Sequence, residues 1–96
     1  MNRHEVLHLL RTHKPALAES FGVTELALFG SFARDEGTDD SDVDILVRFA
    51  GPATSKSYFG VQFYLEDLLV RRVDLVTDKA LRSELRPRVE REAISV

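Results

Sequence analysis

Gly30-Ser31, Asp42-Val43-Asp44 and Asp74 are the residues of this chain whose types and spacing could do chemistry together. Side chains alternate along a strand, so Asp42 and Asp44 point to one face while Val43 and Ile45 point to the other. Two carboxylates one pleat apart suit a pair of hard divalent cations about 3.5–4 Å apart. Asp74 stands between Val73 and Leu75. It too would project from a strand whose other face is buried, and a neighbouring strand would bring it beside the first two. Three like charges there repel one another unless cations neutralise them. Gly30 allows close backbone approach, and Ser31 opens a helix whose first N–H groups favour a phosphate.

The elements that must position these residues can be read from the apolar pattern. A helix is expected from about Arg3 to His13, capped by Asn2, with Val6, Leu7, Leu9 and Leu10 in one arc and His4, His8 and Arg11 opposite. Pro15 fits the first turn of a second, shorter helical piece that runs to Ser20, and Gly22 takes the left-handed cap. Val23 to Phe29 reads as a strand stopped by Gly30, with a short helix from Ser31 and a polar loop from Asp35 to Ser41. Asp42 to Phe49 is the clearest strand. Tyr58 to Arg71 reads as a helix with Phe59, Phe63 and one of Leu68 or Val70 toward the core. Val73 to Thr77 is a third strand, and Leu81 to Ala93 a charged helix interrupted near Pro87. Helices and strands alternating in this way predict an α/β domain, with a small mixed β-sheet flanked by helices and residues 1–96 as a single domain.

Composition agrees. The chain has 96 residues, of which 44% are hydrophobic and 30% charged, values of a globular domain rather than a disordered one. A net charge of −3 argues against a nucleic-acid-binding surface, so no direct nucleic acid is expected. The absence of cysteine excludes disulfides, thiolate metal sites and a cysteine nucleophile. No apolar run approaches the roughly 20 residues that span a bilayer, and no signal segment opens the chain, so no membrane association and a cytoplasmic location are expected.

Leu28-Phe29-Gly30-Ser31-Phe32-Ala33-Arg34, Ser41-Asp42-Val43-Asp44-Ile45-Leu46-Val47 and Val73-Asp74-Leu75-Val76 together resemble the minimal nucleotidyltransferase (MNT) family of the DNA polymerase β-like nucleotidyltransferase superfamily. The likeness extends over nearly the whole chain, and Gly-Ser followed after ten residues by Asp-x-Asp is its specific part. The resemblance implies the polymerase β-like nucleotidyltransferase fold. Gly30 and Ser31 would hold the triphosphate of ATP, Asp42 and Asp44 two Mg²⁺ ions, and Asp74 would join the metal site and help activate the attacking hydroxyl. Arg34 occupies a usually basic position and would contact phosphate. The family commonly has glycine after that arginine, where this chain has Asp35.

By the same resemblance, the protein would be the antitoxin of a type VII HEPN/MNT toxin–antitoxin pair. It would transfer AMP to a tyrosine hydroxyl of a partner HEPN-domain ribonuclease toxin, within a hetero-oligomer. A chain this short carries no added domain to shape an acceptor pocket, which favours a protein acceptor over a small molecule such as an aminoglycoside. The rival reading is an antitoxin that neutralises the toxin by binding alone.

Other motifs lead elsewhere. His4-Glu5-Val6-Leu7-His8 matches the zinc-protease pattern, but both histidines fall opposite the apolar arc, and the extended form would need glycine and histidine where Arg11 and Lys14 stand. Arg3 and His8 have the spacing of a HEPN ribonuclease motif, in a chain too rich in strands for that all-helical class. Asp40, Asp42 and Asp44 fail as a calcium loop, since Ile45 and Gly51 occupy the places of its glycine and glutamate. Arg82, Arg86, Arg88 and Arg91 are interleaved with Glu84, Glu90 and Glu92, the pattern of a solvated helix.

Overall fold

The computed structural model describes residues 1–96. Its elements are α1 (Arg3–Phe21), β1 (Val23–Phe29), α2 (Gly30–Ala33), β2 (Val43–Phe49), α3 (Ser55–Leu69), β3 (Val73–Thr77), a 3-10 turn (Asp78–Ala80), α4 (Arg86–Glu92) and β4 (Ile94–Ser95). The sheet order is β3-β2-β1-β4. β2 and β3 run parallel, whereas β1 is antiparallel to both of its neighbours. This is the small mixed sheet that the alternation of elements predicts.

α1 begins with a reciprocal cap. Asn2 Oδ1 accepts from the Glu5 N–H at 2.9 Å, and the Asn2 N–H donates to Glu5 Oε1 at 3.2 Å. The helix is one piece, not two, and Pro15 lies inside it. Proline removes one helix hydrogen bond, but Leu10 and Leu17 are fully buried on either side of it, and their packing carries the helix through. Gly22 ends it at φ 74, in the left-handed conformation glycine adopts without strain.

The inward face of the sheet is apolar: Val23, Leu26 and Leu28 of β1, Val43, Ile45 and Val47 of β2, Val73 and Leu75 of β3. They meet Val6, Leu10 and Leu17 of α1 and Val61, Leu65 and Leu69 of α3 in one cluster. The phase of α3 differs from the sequence expectation. Phe59 is 48% and Phe63 61% exposed, and Val70 is exposed beyond the helix end, while Val61, Leu65 and Leu69 face the core. The two phenylalanines lie one turn apart and stack on each other, 6.1 Å between centroids. α3 also starts three residues earlier than the pattern suggests, because Thr54 and Ser57 form a second capping box.

The C-terminal stretch departs from the expected single charged helix. Pro87 sits in the first turn of α4, where its missing N–H costs nothing, rather than interrupting a longer helix. The last residues instead add a fourth strand against β1, with Ala27 opposite Ser95 and Leu28 opposite Ile94. Arg48 of β2, Asp78 of the 3-10 turn and Arg86 of α4 tie this stretch to the sheet.

Candidate active site

β2 begins at Val43, so Asp42 stands one residue before the strand. Asp44 faces away from α1 and α3, since Val43 and Ile45 on either side are fully buried in the core that those helices cover. The parallel pairing of β2 with β3 sets Asp44 directly opposite Asp74. Alternation along each strand then places both carboxyls on the same face. Burial and the neighbouring charges and hydrogen bond of Asp74, with Asp42 adding to them, push the Asp44 carboxyl up to about 6. Asp74 is exposed, at the outer edge of the pair. Beside it, the Tyr58 hydroxyl donates to the Leu75 carbonyl, and burial together with the charge of Asp74 raises that phenol above its ordinary range.

Gly30 follows β1 at φ 74. A Cβ built there would lie 2.0 Å from Asp44 Oδ2, so only glycine lets the turn pass this close to the carboxylate. Ser31 comes next, half-buried at the start of α2. Arg34 closes α2, its Nε 2.7 Å from Glu36 Oε1 and its Nη1 3.0 Å from Glu92 Oε2. Both contacts raise its already high pKa. Asp35 adopts φ 60, a left-handed conformation that explains a glycine preference at this position and that aspartate tolerates better than most residues. Its carboxylate accepts from the Arg3 N–H at 3.1 Å, so it braces the start of α1 instead of facing the nucleotide side alone.

The structure therefore brings together Gly30, Ser31, Arg34, Asp44 and Asp74. Asp42 is close in sequence, but its carboxylate is turned to Arg72, 3.5 Å away. As the side chains stand, no three carboxylates converge on one point. The donor chemistry nonetheless fits a hard divalent cation. Asp44 and Asp74 offer oxygen ligands face to face, and their mutual repulsion is what such an ion relieves. Asp42 is held elsewhere only by an arginine whose side chain is 84% exposed.

Two residues at the site escaped the sequence reading. Glu92, there only one of the acidic residues interleaved in the tail, accepts from the Gly30 N–H at 3.1 Å as well as from Arg34. Burial raises its pKa, but the Arg34 and Gly30 hydrogen bonds outweigh this and leave it below the usual range. Arg71 fixes the loop that leads to Asp42. Its guanidinium lies 5.5 Å from the centre of the Phe32 ring and donates to the Asp39 carbonyl and carboxylate, each at 3.2 Å. The His4–His8 pair lies exposed on α1.

A mixed sheet with paired aspartates on adjacent parallel strands, and a Gly-Ser turn packed against one of them, defines a nucleotidyltransferase. The nucleotidyltransferase domain family matches residues 10–96, and the chain belongs to it. Protein adenylyltransferase MntA of Thermococcus cleftensis is 44% identical over 92 residues, covering 96% of this chain and 93% of that protein. A solved structure named for a minimal nucleotidyltransferase superposes with a TM-score of 0.83 at 38% identity, over 100% of this chain and 97% of that one. A chain of a variant MntA–HpeT toxin–antitoxin crystal structure is 26% identical with a TM-score of 0.66, over 100% of this chain and 72% of that one. No helix of the structure is long and apolar enough to cross a membrane.

Proposed function

We propose that this nucleotidyltransferase is an antitoxin that transfers AMP from ATP to a tyrosine hydroxyl of a partner HEPN-domain ribonuclease toxin. The register pair Asp44–Asp74, with Gly30 packed against Asp44, carries the reading, because it places oxygen ligands beside a turn able to approach a phosphate. The similarity to a protein adenylyltransferase supports AMP as the group moved and a protein as its acceptor.

In this reading residues 1–96 act as one domain, and the partner supplies the acceptor. Gly30 and Ser31 hold the triphosphate through backbone N–H groups and the serine hydroxyl, and Arg34 contacts a phosphate oxygen. Asp44 and Asp74, joined by Asp42 once it leaves Arg72, hold Mg²⁺; two such ions would supply neutralisation of charge on the attacking and departing oxygens. Asp74, the more exposed carboxylate, takes the proton from the acceptor hydroxyl at a carboxylate oxygen. A bond then forms from the oxygen of the deprotonated acceptor hydroxyl to the α-phosphorus, the bond from that phosphorus to the oxygen bridging to the β-phosphate breaks, and pyrophosphate leaves.

The test is intact-mass spectrometry of a co-expressed HEPN partner after incubation with this chain, ATP and Mg²⁺. A gain of one or more AMP units is expected, and none with Asp42→Asn/Asp44→Asn. A stable complex and a silenced toxin with no mass gain, equally for wild type and variant, would replace transfer by neutralisation through binding alone.

A further inference from the structure

Glu92 holds two of the donors that the nucleotide reading needs. Its Oε1 accepts from the Gly30 N–H at 3.1 Å and its Oε2 from Arg34 Nη1 at 3.0 Å. A carboxylate spanning two donors in this way presents two anionic oxygens at hydrogen-bond length, as a phosphate group would. The contact is non-local, since 62 residues separate Glu92 from Gly30. We propose that Glu92 is an internal competitor of the triphosphate, occupying Gly30 and Arg34 until nucleotide displaces it. The inference rests on the nucleotidyltransferase site proposed above.

Charge makes the two occupants exclusive. Arg34 is already flanked by Glu36 at 2.7 Å and by Glu92, one cation between two anions. Asp44 and Asp74 stand on the other side of Gly30. A triphosphate arriving with Glu92 in place would add its charge to a site that already carries an excess of carboxylates. With Glu92 gone, the Gly30 N–H and one edge of the Arg34 guanidinium are free.

The exchange does not require the fold to open. Glu92 is the last residue of α4, and that helix is anchored by Val89, buried against the sheet side, one turn earlier. The Glu92 side chain retains 19% exposure. Rotation of its flexible stem is sufficient to swing the carboxylate into water. α4 and β4 can stay docked while the donors change partners.

A simple strut predicts the opposite sign. If Glu92 only oriented α2 and Arg34, its loss would weaken nucleotide binding. Competition predicts that its loss strengthens binding, because nucleotide no longer has to displace a bound carboxylate.

The deciding experiment is isothermal titration of Mg²⁺·AMP-PNP into wild type, Glu92→Gln and Glu92→Asp, with thermal melts to check folding. The glutamine keeps the shape but loses the charge; the aspartate keeps the charge but is too short to span both donors. Competition predicts Kd lowered about five- to tenfold for the glutamine variant and about two- to fivefold for the aspartate variant. An unchanged or higher Kd in a folded variant overturns the inference, and if the glutamine variant fails to fold the aspartate variant decides. Binding by wild type without tightening in the variants removes only this inference. No binding by wild type or either variant removes the nucleotide site itself, and the competition with it.

Discussion

Gly30 is the residue where backbone geometry and site chemistry meet. Its φ of 74 lies in the region that side chains strain to adopt, and a Cβ would fall 2.0 Å from Asp44 Oδ2. Gly30→Ala must therefore push the turn away from Asp44 or rotate the carboxylate off Asp74. We expect it to cost about 2 kcal/mol of stability, read from urea unfolding. AMP transfer should fall far more than that loss of folded protein explains, as a kcat measurement at saturating ATP would show. Full activity in the folded variant would mean that the close approach serves packing alone. Gly30, Ser31, Asp44 and Asp74 were legible in the sequence because each lies in a short local pattern: a strand ending in glycine, or an acidic residue between two apolar ones. Glu92 was not. Its meaning comes from a contact that no periodicity or spacing reports, and among alternating arginines and glutamates it resembles any solvated residue. Asp42 was legible in position but not in direction, since its turn toward Arg72 depends on a residue brought near by the β2–β3 pairing.

Strands were easier to read than helix phase, and α3 shows why. β1 and β3 have the expected limits because an alternating pattern admits one choice of inward face. α3 offers apolar residues on more than one arc: Phe59 and Phe63 on one, Val61, Leu65 and Leu69 on another. Composition favours the larger side chains, but the sheet selects the second arc, and only tertiary contact distinguishes them. The energetic consequence is testable. Leu65→Ala empties a fully buried site and should cost about 2–4 kcal/mol. Phe63→Ala removes a ring that is 61% exposed and should cost less than about 1 kcal/mol, despite deleting more atoms. Urea midpoints with unchanged m-values would check both, and the reverse order would place the core on the phenylalanine face. Pro15 gives the complementary case. A local rule predicted a break, whereas burial of Leu10 and Leu17 on the two sides of it kept α1 continuous.

At the scale of the whole molecule, the C-terminal stretch is bound to the sheet through ionic contacts as well as through β4. Asp78 receives Arg86 Nη1 at 3.1 Å and Arg48 Nη2 at 3.3 Å, joining the 3-10 turn to α4 and β2. The hydrogen bond from Arg86 is the largest influence on its carboxyl, and with Arg48 it outweighs burial and holds the pKa below 3.8. A folded-state pKa below the unfolded value gives stability that is fully present above the unfolded pKa and lost as pH falls through the folded one. Glu92 has the same sign, with a pKa held below 4.5. Both groups are in contact with water, so each contribution is expected to be modest. Asp78→Asn should lower stability by about 1 kcal/mol at pH 7. Its deficit should shrink as acid protonates Asp78 in the wild type, until the two melting curves converge below the folded pKa of that carboxyl. Melts taken from pH 7 downward would show this. A deficit that stays constant to the lowest pH would mean that Asp78 acts through its hydrogen-bonding shape rather than its charge, and that the C-terminal stretch is held chiefly by Val89 and the β1–β4 pairing.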